Sequence, residues 1–315
     1  MKDRTALFTE HRPRLYGIAY RMLGSRDDAE DMVQEAYLRW HRADVERIQV
    51  PEAWLVTAVT RLSIDRLRAV RTEREAYVGP WLPEPLSGDG AAPPADAYSE
   101  LASDLSVAFL VVLERLAPEE RAAFLLHEVF DSAYADIAGI LGKTEGTCRQ
   151  IVHRARQRVH RDRPRFQVSD AARRRLLERF VEALRTEDQT GLLSLFGADA
   201  TWTSDGGGKV KAARKVVRSA ELVARFARGI WRRYLSDLTY RLTTINGETG
   251  LVAFDEHGPT WVLTIDTDGR NILAAYSVVN PDKLRNLATP DTMRKSYTTA
   301  GIAIDDDGPA EAVKR

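Results

Sequence analysis

The residues best suited to specific chemistry lie between Tyr134 and Arg165, where YADIAGILGKTEGTCRQIVHRARQRV is followed by further arginines. A short apolar-periodic segment, a glycine at Gly142, and Thr144 capping a longer periodic segment spell helix, turn, helix. In such a unit the second helix enters the major groove with its first turns on base edges, while flanking cations hold phosphates. Thr147, Arg149, Gln150, His153 and Arg154 occupy reading positions. Arg156, Arg158, Arg161, Arg163 and Arg165 make a local basic footprint. A solvated amphipathic hairpin would share this pattern, so the rest of the chain has to arbitrate.

Two earlier segments carry complementary chemistry. In DDAEDMVQEAYLRW, Asp27 to Trp40, helical spacing places Asp28, Asp31 and Glu35 on an acidic stripe beside Val33 and Leu38. A partner bearing arginines would pair with it, although acids at a helix start also serve the dipole. In PEAWLVTAVTRLSIDRLRAVRTERE, Pro51 opens a helix with an apolar face. Arg61, Arg66, Arg68, Arg71 and Arg74 line its polar side. Trp54 is expected in the core.

Taken together these segments resemble extracytoplasmic-function RNA polymerase sigma factors. LERLAPEERAAFLLHEVFDSAYADIAGILGKTEGTCRQIVHRARQRV is similar to their region 4, which reads the minus-thirty-five promoter element. Ala29, Glu30, Asp31, Val33, Gln34 and Glu35 fall on the pattern of the region 2 helix that meets the polymerase clamp. Trp54, Leu55, Asp65, Leu67 and Arg68 match the segment that captures the melted minus-ten element, with Arg61 standing where many members have Asn. The resemblance implies core RNA polymerase (beta-prime clamp and beta flap) and promoter DNA as partners. It implies Asp28, Asp31, Gln34, Glu35 and Leu38 as core contacts and Arg61, Asp65, Arg66, Arg68 and Arg71 as minus-ten contacts. Thr147, Arg149, Gln150, His153, Arg154 and Arg156 would contact the minus-thirty-five element.

Three further motifs extend the resemblance to a subgroup with a SnoaL-like C-terminal extension: WLPEP at Trp81, Leu82, Pro83, Glu84 and Pro85; DGGGK at Asp205, Gly206, Gly207, Gly208 and Lys209; and NPDKL from Asn280, Pro281, Asp282 and Lys283 to Leu284. That fold, related to nuclear transport factor two, is an α+β cone around a pocket, and some relatives are enzymes. From the residues alone, DGGGK is a tight loop, lacking the spacing of a phosphate-binding P-loop. WLPEP is a semi-rigid segment that presents Trp81 as an anchor beside Glu84. The three motifs are expected to form one intramolecular interface that regulates the promoter-binding domains in cis.

The elements that must position these residues follow from composition and punctuation. The expected architecture is multi-domain: two all-α sigma domains, over residues 1–76 (region 2) and 101–163 (region 4), then an α+β SnoaL-like domain over 168–287. A Pro/Gly-rich linker spans 77–100 and a flexible tail 288–315. The 46 basic and 46 acidic side chains cancel, so any nucleic-acid footprint has to be local. One cysteine, Cys148, excludes an internal disulfide framework and reads as a packing residue in a cytoplasmic protein. His127, His153 and His160 lack zinc-site spacing, and no run is long enough to span a membrane. No metal, cofactor, membrane contact or catalysis is expected. Two alternatives stand beside this reading. A C-terminal pocket lined by Trp202, Phe226 and Trp261, with Asp266 as base, would bind or turn over a small molecule. A polymerase-independent helix-turn-helix regulator would not need the Asp27 to Trp40 helix.

Overall fold

The computed structural model describes residues 4–44, 48–87, 105–162 and 168–287. The chain divides into two compact units: Met1–Leu86 with Ala91–Arg165, and Phe166–Arg315 with Ser87–Gly90. The expected tail, 288–315, lies outside the described residues, as do residues 88–100 of the expected linker.

The first unit is all helical. Helices α1 (Arg4–Leu23), α2 (Arg26–Arg42) and α3 (Pro51–Ala69) pack on one another, and a short α4 (Arg71–Glu75) follows. Helices α5 (Val107–Leu113), α6 (Pro118–Glu128), α7 (Tyr134–Leu141) and α8 (Glu145–Asp162) complete it. The stripe Leu55, Val59 and Leu62 of α3 meets Leu15, Ile18 and Met22 of α1 in the core, as the 3.6-residue period requires. Trp54 is partly buried against that core, its ring 5.6 Å from the Trp40 ring. One continuous core joins both helical groups, and α6 and α7 pack directly on α1 and α3.

The second unit is α+β. Helices α9 (Asp170–Arg185) and α10 (Gln189–Ser194) precede β1 (Phe196–Asp205) and the short β2 (Val217–Arg218). Next come α11 (Ala220–Ile230), a π-helical turn at Trp231–Leu235, and β3 (Thr239–Ile245), β4 (Glu248–Asp255), β5 (Gly258–Thr267) and β6 (Ile272–Val278). A last helix, α12, covers Pro281–Leu284. The six strands lie in the order β2-β1-β6-β5-β4-β3, with β1 parallel to β6 and the other neighbours antiparallel. Helices α9 and α11 cover the sheet, burying Trp202, Phe180, Val223 and Leu263 in a core of their own. This is an α+β arrangement, with helices packed on one mixed sheet, as expected for the C-terminal part of the chain.

Candidate nucleic-acid interface and the Asp205 cluster

Helix α7 ends at Gly142, whose φ of +64° is a left-handed cap that suits glycine. The Thr144 hydroxyl then accepts the Thr147 backbone N–H at 3.2 Å, capping α8. Cys148, Ile151, Val152, Ala155 and Val159 make the buried stripe of α8. The opposite positions, Thr147, Arg149, Gln150, His153 and Arg154, are therefore exposed together along its first three turns. Arg149 is braced by Glu145 at 2.7 Å and by the Tyr134 ring, leaving its direction defined by α7. Arg156 points elsewhere: it forms a two-pronged ion pair with Glu128 of α6, which raises its pKa, so in this conformation it clamps α8 onto α6. Arg158 pairs similarly with Glu120 at 2.8 Å. Arg163 and Arg165 lie outside the described residues.

Cys148 is fully buried, and burial raises its thiol pKa. A protonated, enclosed thiol is a packing group.

The α2 stripe is divided. Asp31, Gln34 and Leu38 are exposed at spacings of three and four, making a mixed polar and apolar strip. Glu35 is half-buried and paired with Arg39. Asp28 turns inward to Arg66 of α3 at 2.8 Å, so a residue expected at the polymerase and one expected at the minus-ten element hold each other. Val33 belongs to the core instead of flanking the stripe, because it falls on the α2 face that meets α1 and α3.

The polar side of α3 is occupied by the second helical group. Arg61 donates to the Ile140 and Gly139 carbonyls at 2.9 and 2.8 Å, using orphan acceptors at the end of α7. Arg68 bridges Asp65 and Glu119. Arg71 has its i,i+4 partner Glu75 and is largely exposed. The missed residue in this group is Glu114, which pairs with Arg74 and with the buried Arg121. Burial pushes the Glu114 carboxyl up, but the Arg121 and Arg74 charges and hydrogen bonds outweigh it, and its pKa ends below the ordinary 4.5. No periodicity could find this trio, since it joins residues about 40 positions apart.

WLPEP differs from its expected role as an exposed anchor. Trp81 is half-buried, with the Arg74 guanidinium 4.0 Å from its ring centre. Gly24, at the turn between α1 and α2, has φ +66°, and a Cβ there would meet the Trp81 ring at 2.6 Å. Glu84 donates its backbone N–H to the Gly24 carbonyl, and its side chain accepts the Arg26 N–H at 2.9 Å. The Tyr20 hydroxyl donates to the Glu84 carbonyl at 2.6 Å. The prolines hold an extended backbone, and the carboxylate seeks the positive start of α2, so the motif lies down on the helical unit.

In the second unit DGGGK and NPDKL come together. Asp205 is fully buried at the end of β1; its Oδ2 accepts Lys283 Nζ at 2.7 Å and its Oδ1 accepts the Gly207 N–H at 3.1 Å. The Asp205 carbonyl accepts the Val279 and Asn280 N–H groups. Asn280 caps α12 through the Asp282 N–H, and Asp282 pairs with Lys209. Three glycines are needed: a Cβ on Gly206 would sit 2.5 Å from the Val210 carbonyl, and Gly207 and Gly208 have φ of +58° and +73°. The loop is thus a charge-locked turn, as its residues suggest, and the structure adds its partner motif 73 positions away.

Next to this loop lies a cavity of about 240 Å³, walled by Phe226, Ile230, Leu238, Trp261 and Val279, with Val210 and Tyr234 exposed at its rim. Trp202 is not in its wall: its ring is fully buried, with its N–H donated to the Ser204 hydroxyl. Asp266 does not line the cavity either; the carboxylate there is Asp255, whose Oδ1 accepts the His257 and Gly258 N–H groups of the β4–β5 turn. The Asp266 assignment fails because its strand carries it beyond the cavity, to a position paired with Ala274. Among the described residues no group of three or more His, Cys, Asp or Glu is placed to hold a metal ion, and no helix is long and apolar enough to cross a membrane.

Comparison with known proteins places these features. Residues 7–73 match the family model of Sigma-70 region 2, and residues 106–159 match that of Sigma-70, region 4. The chain is 38% identical over 288 residues to the ECF RNA polymerase sigma factor SigJ of Mycobacterium tuberculosis, covering 88% of this chain and 91% of that protein. It is 32% identical to the probable ECF RNA polymerase sigma factor SigI of the same species, over 89% of this chain and 94% of the relative. The crystal structure of M. tuberculosis SigJ superposes with a TM-score of 0.71 at 36% identity, covering 88% of this chain and 96% of that one.

Proposed function

This chain belongs to the extracytoplasmic-function RNA polymerase sigma factors, and on that premise we propose that it binds core polymerase in the cytoplasm and directs it to promoters under control of its own C-terminal domain. The observation that carries the reading is the outward face of α8, where Thr147, Gln150, His153 and Arg154 are exposed on a correctly capped second helix. Asp31, Gln34 and Leu38 on α2 supply a free strip for the polymerase clamp, and Glu35 joins them once released from Arg39. Arg61, Asp65, Arg66, Arg68 and Arg71 serve the minus-ten element. Arg61, Arg66 and Arg68 first have to leave their partners in α2, α6 and α7. The helical unit as described is therefore a closed form, and promoter melting requires its opening.

Control in cis has two structural supports. WLPEP is fastened to the turn that starts α2, the polymerase-facing helix, and the Asp205–Lys283 lock organises one end of the C-terminal sheet. A domain tethered in the same chain acts at high effective concentration, so a modest interface suffices to bias opening. The assignment of residues 1–76, 101–163 and 168–287 to minus-ten, minus-thirty-five and regulatory roles is part of this proposal.

The test is run-off transcription with purified core polymerase, comparing the full chain with one ending after Arg165. Promoter-specific transcripts whose yield changes on truncation support both parts. Transcripts indifferent to truncation remove the regulatory part, and absent transcripts with absent core binding remove the sigma role.

A second reading is favoured by the cavity beside the Asp205 loop, whose apolar walls and four hydroxyls (Ser204, Tyr234, Thr260, Ser277) suit a small, mostly apolar ligand. No histidine, cysteine or second carboxylate lines it among the described residues, so the chemistry favours sensing over turnover. Replacing Ile230 with Trp fills the cavity; a ligand-responsive transcript level that becomes unresponsive in this variant would support the sensor.

A further inference from the structure

Charge in the second unit is segregated. Between Lys209 and Arg233 there are nine lysines or arginines and one acid, Glu221, whereas residues 168–208 and 234–287 together carry fourteen acids and nine bases. The chain as a whole is neutral, which conceals this.

The structure shows what these cations do locally, which is little. Lys209 pairs with Asp282 and Arg232 with Glu187. Lys211, Arg214, Lys215, Arg218, Arg225 and Arg228 have no carboxylate partner among the described residues, and all but the half-buried Arg228 are exposed. Arg218 sits on β2, the open edge of the sheet, where the exposed loop carrying Arg214 and Lys215 delivers it. Ser219 then caps α11, and Arg225 and Arg228 stand three apart on that helix, which packs against β2 and β1. The contrast with the first unit is sharp: on α3 and α8, Arg61, Arg66, Arg68, Arg149, Arg156 and Arg158 each have a carboxylate or carbonyl partner. A row of unpartnered like charges destabilises the fold that carries it, and a polyanion relieves that repulsion.

The identity of the polyanion follows from the chain. Five residues, 163–167, separate Asp162 at the end of the recognition helix from Val168. When α8 lies in a major groove, this domain is held by a short tether near a duplex that presents one charge per about 1.7 Å.

We propose that the β2 edge carrying Arg214, Lys215 and Arg218 is a second, sequence-independent DNA contact, binding duplex phosphates while α8 reads bases. Its placement near promoter DNA rests on the sigma-factor reading; its affinity for DNA does not, so the two fail separately.

The test uses the full chain without polymerase. A fluorescent duplex of about 30 base pairs lacking any promoter is titrated by anisotropy at several salt concentrations between about 50 and 200 mM. The variants are R214E/K215E/R218E and the milder R214Q/K215Q/R218Q, each checked for native circular dichroism and melting temperature. Loss of three phosphate contacts lowers the slope of log affinity against log salt by about 3 and weakens low-salt binding by at least about tenfold. The Gln variant, which cannot repel DNA, should show the same slope change with a smaller loss of affinity. Isotherms that coincide with wild type in the Gln variant, or a wild-type chain that does not bind the duplex, overturn the proposal. Core polymerase binding is measured in parallel. If it falls while DNA binding holds, the strip docks on protein and the proposal is wrong.

Discussion

Helices α3 and α8 both carry arginine-rich polar faces over an apolar stripe, yet they stand in opposite states. The first turns of α8 expose the residues proposed to read bases, with Arg149 merely steadied by Glu145 and Tyr134. On α3, Arg61 and Arg68 are spent on α7 and α6, and Arg66 on Asp28. A helix that reads duplex DNA can be kept ready, because its target is formed before it arrives. On the role proposed for α3, a helix that captures melted DNA is safer engaged, because free cations would bind any duplex without specificity.

The largest way to break this contrast is through Glu114, the anion that holds Arg74 and the buried Arg121 in the engaged half. Glu114→Ala leaves buried positive charge unmatched and should cost about 3–5 kcal/mol in urea unfolding. A loss below about 1 kcal/mol would show the trio to be incidental to closure. The same group sets a pH dependence. Its folded pKa is depressed, so its contribution is full above the ordinary 4.5 and is lost as pH falls through the lower folded value. Stability measured from pH 6 downward should therefore fall less steeply in Glu114→Gln than in wild type.

A smaller effect should separate the two helices by function. Gln150→Ala and Arg154→Ala remove exposed side chains from α8 and should cost about 1–3 kcal/mol of discrimination between promoter and mutated minus-thirty-five sequences, with melting temperature unchanged. Equal losses on all sequences would mean that they touch phosphates alone. Arg61→Ala removes two part-exposed hydrogen bonds to α7 and should shift the closed form toward open by about 1–2 kcal/mol. Distance measurements between labels on α2 and α8 report that shift; an unchanged distribution would break the claim that Arg61 helps hold closure. The smallest expected effect is at Arg71, whose exposed i,i+4 pair with Glu75 should leave stability within about 0.5 kcal/mol on Arg71→Ala.

Local rules made much of this legible. The left-handed cap at Gly142, the Thr144 N-cap and the buried period from Cys148 to Val159 all follow from residue type and spacing. The tight Asp205 loop was readable for the same reason, because three glycines and a flanking acid are explained by contacts within a few residues. The direction of WLPEP was not. Proline spacing predicts an extended backbone but not which surface it lies on, and that depended on Gly24 leaving room for the Trp81 ring. The Asp266 base failed similarly, since strand register, not composition, decides which carboxylate reaches a cavity.

What the sequence determined by itself, then, was each feature whose interactions close within one or two helical turns: the second helix of the helix-turn-helix, its caps, the tight Asp205 loop, and the family those motifs carry. What only the tertiary structure decided was the state of the charges. Arg156 clamps Glu128, Asp28 holds Arg66, Glu114 gathers two arginines, and Arg214, Lys215 and Arg218 stay without carboxylates among the described residues. A charge is neutralised or left free by neighbours tens of residues away, and Coulomb attraction carries no sequence period from which that neighbour could be read.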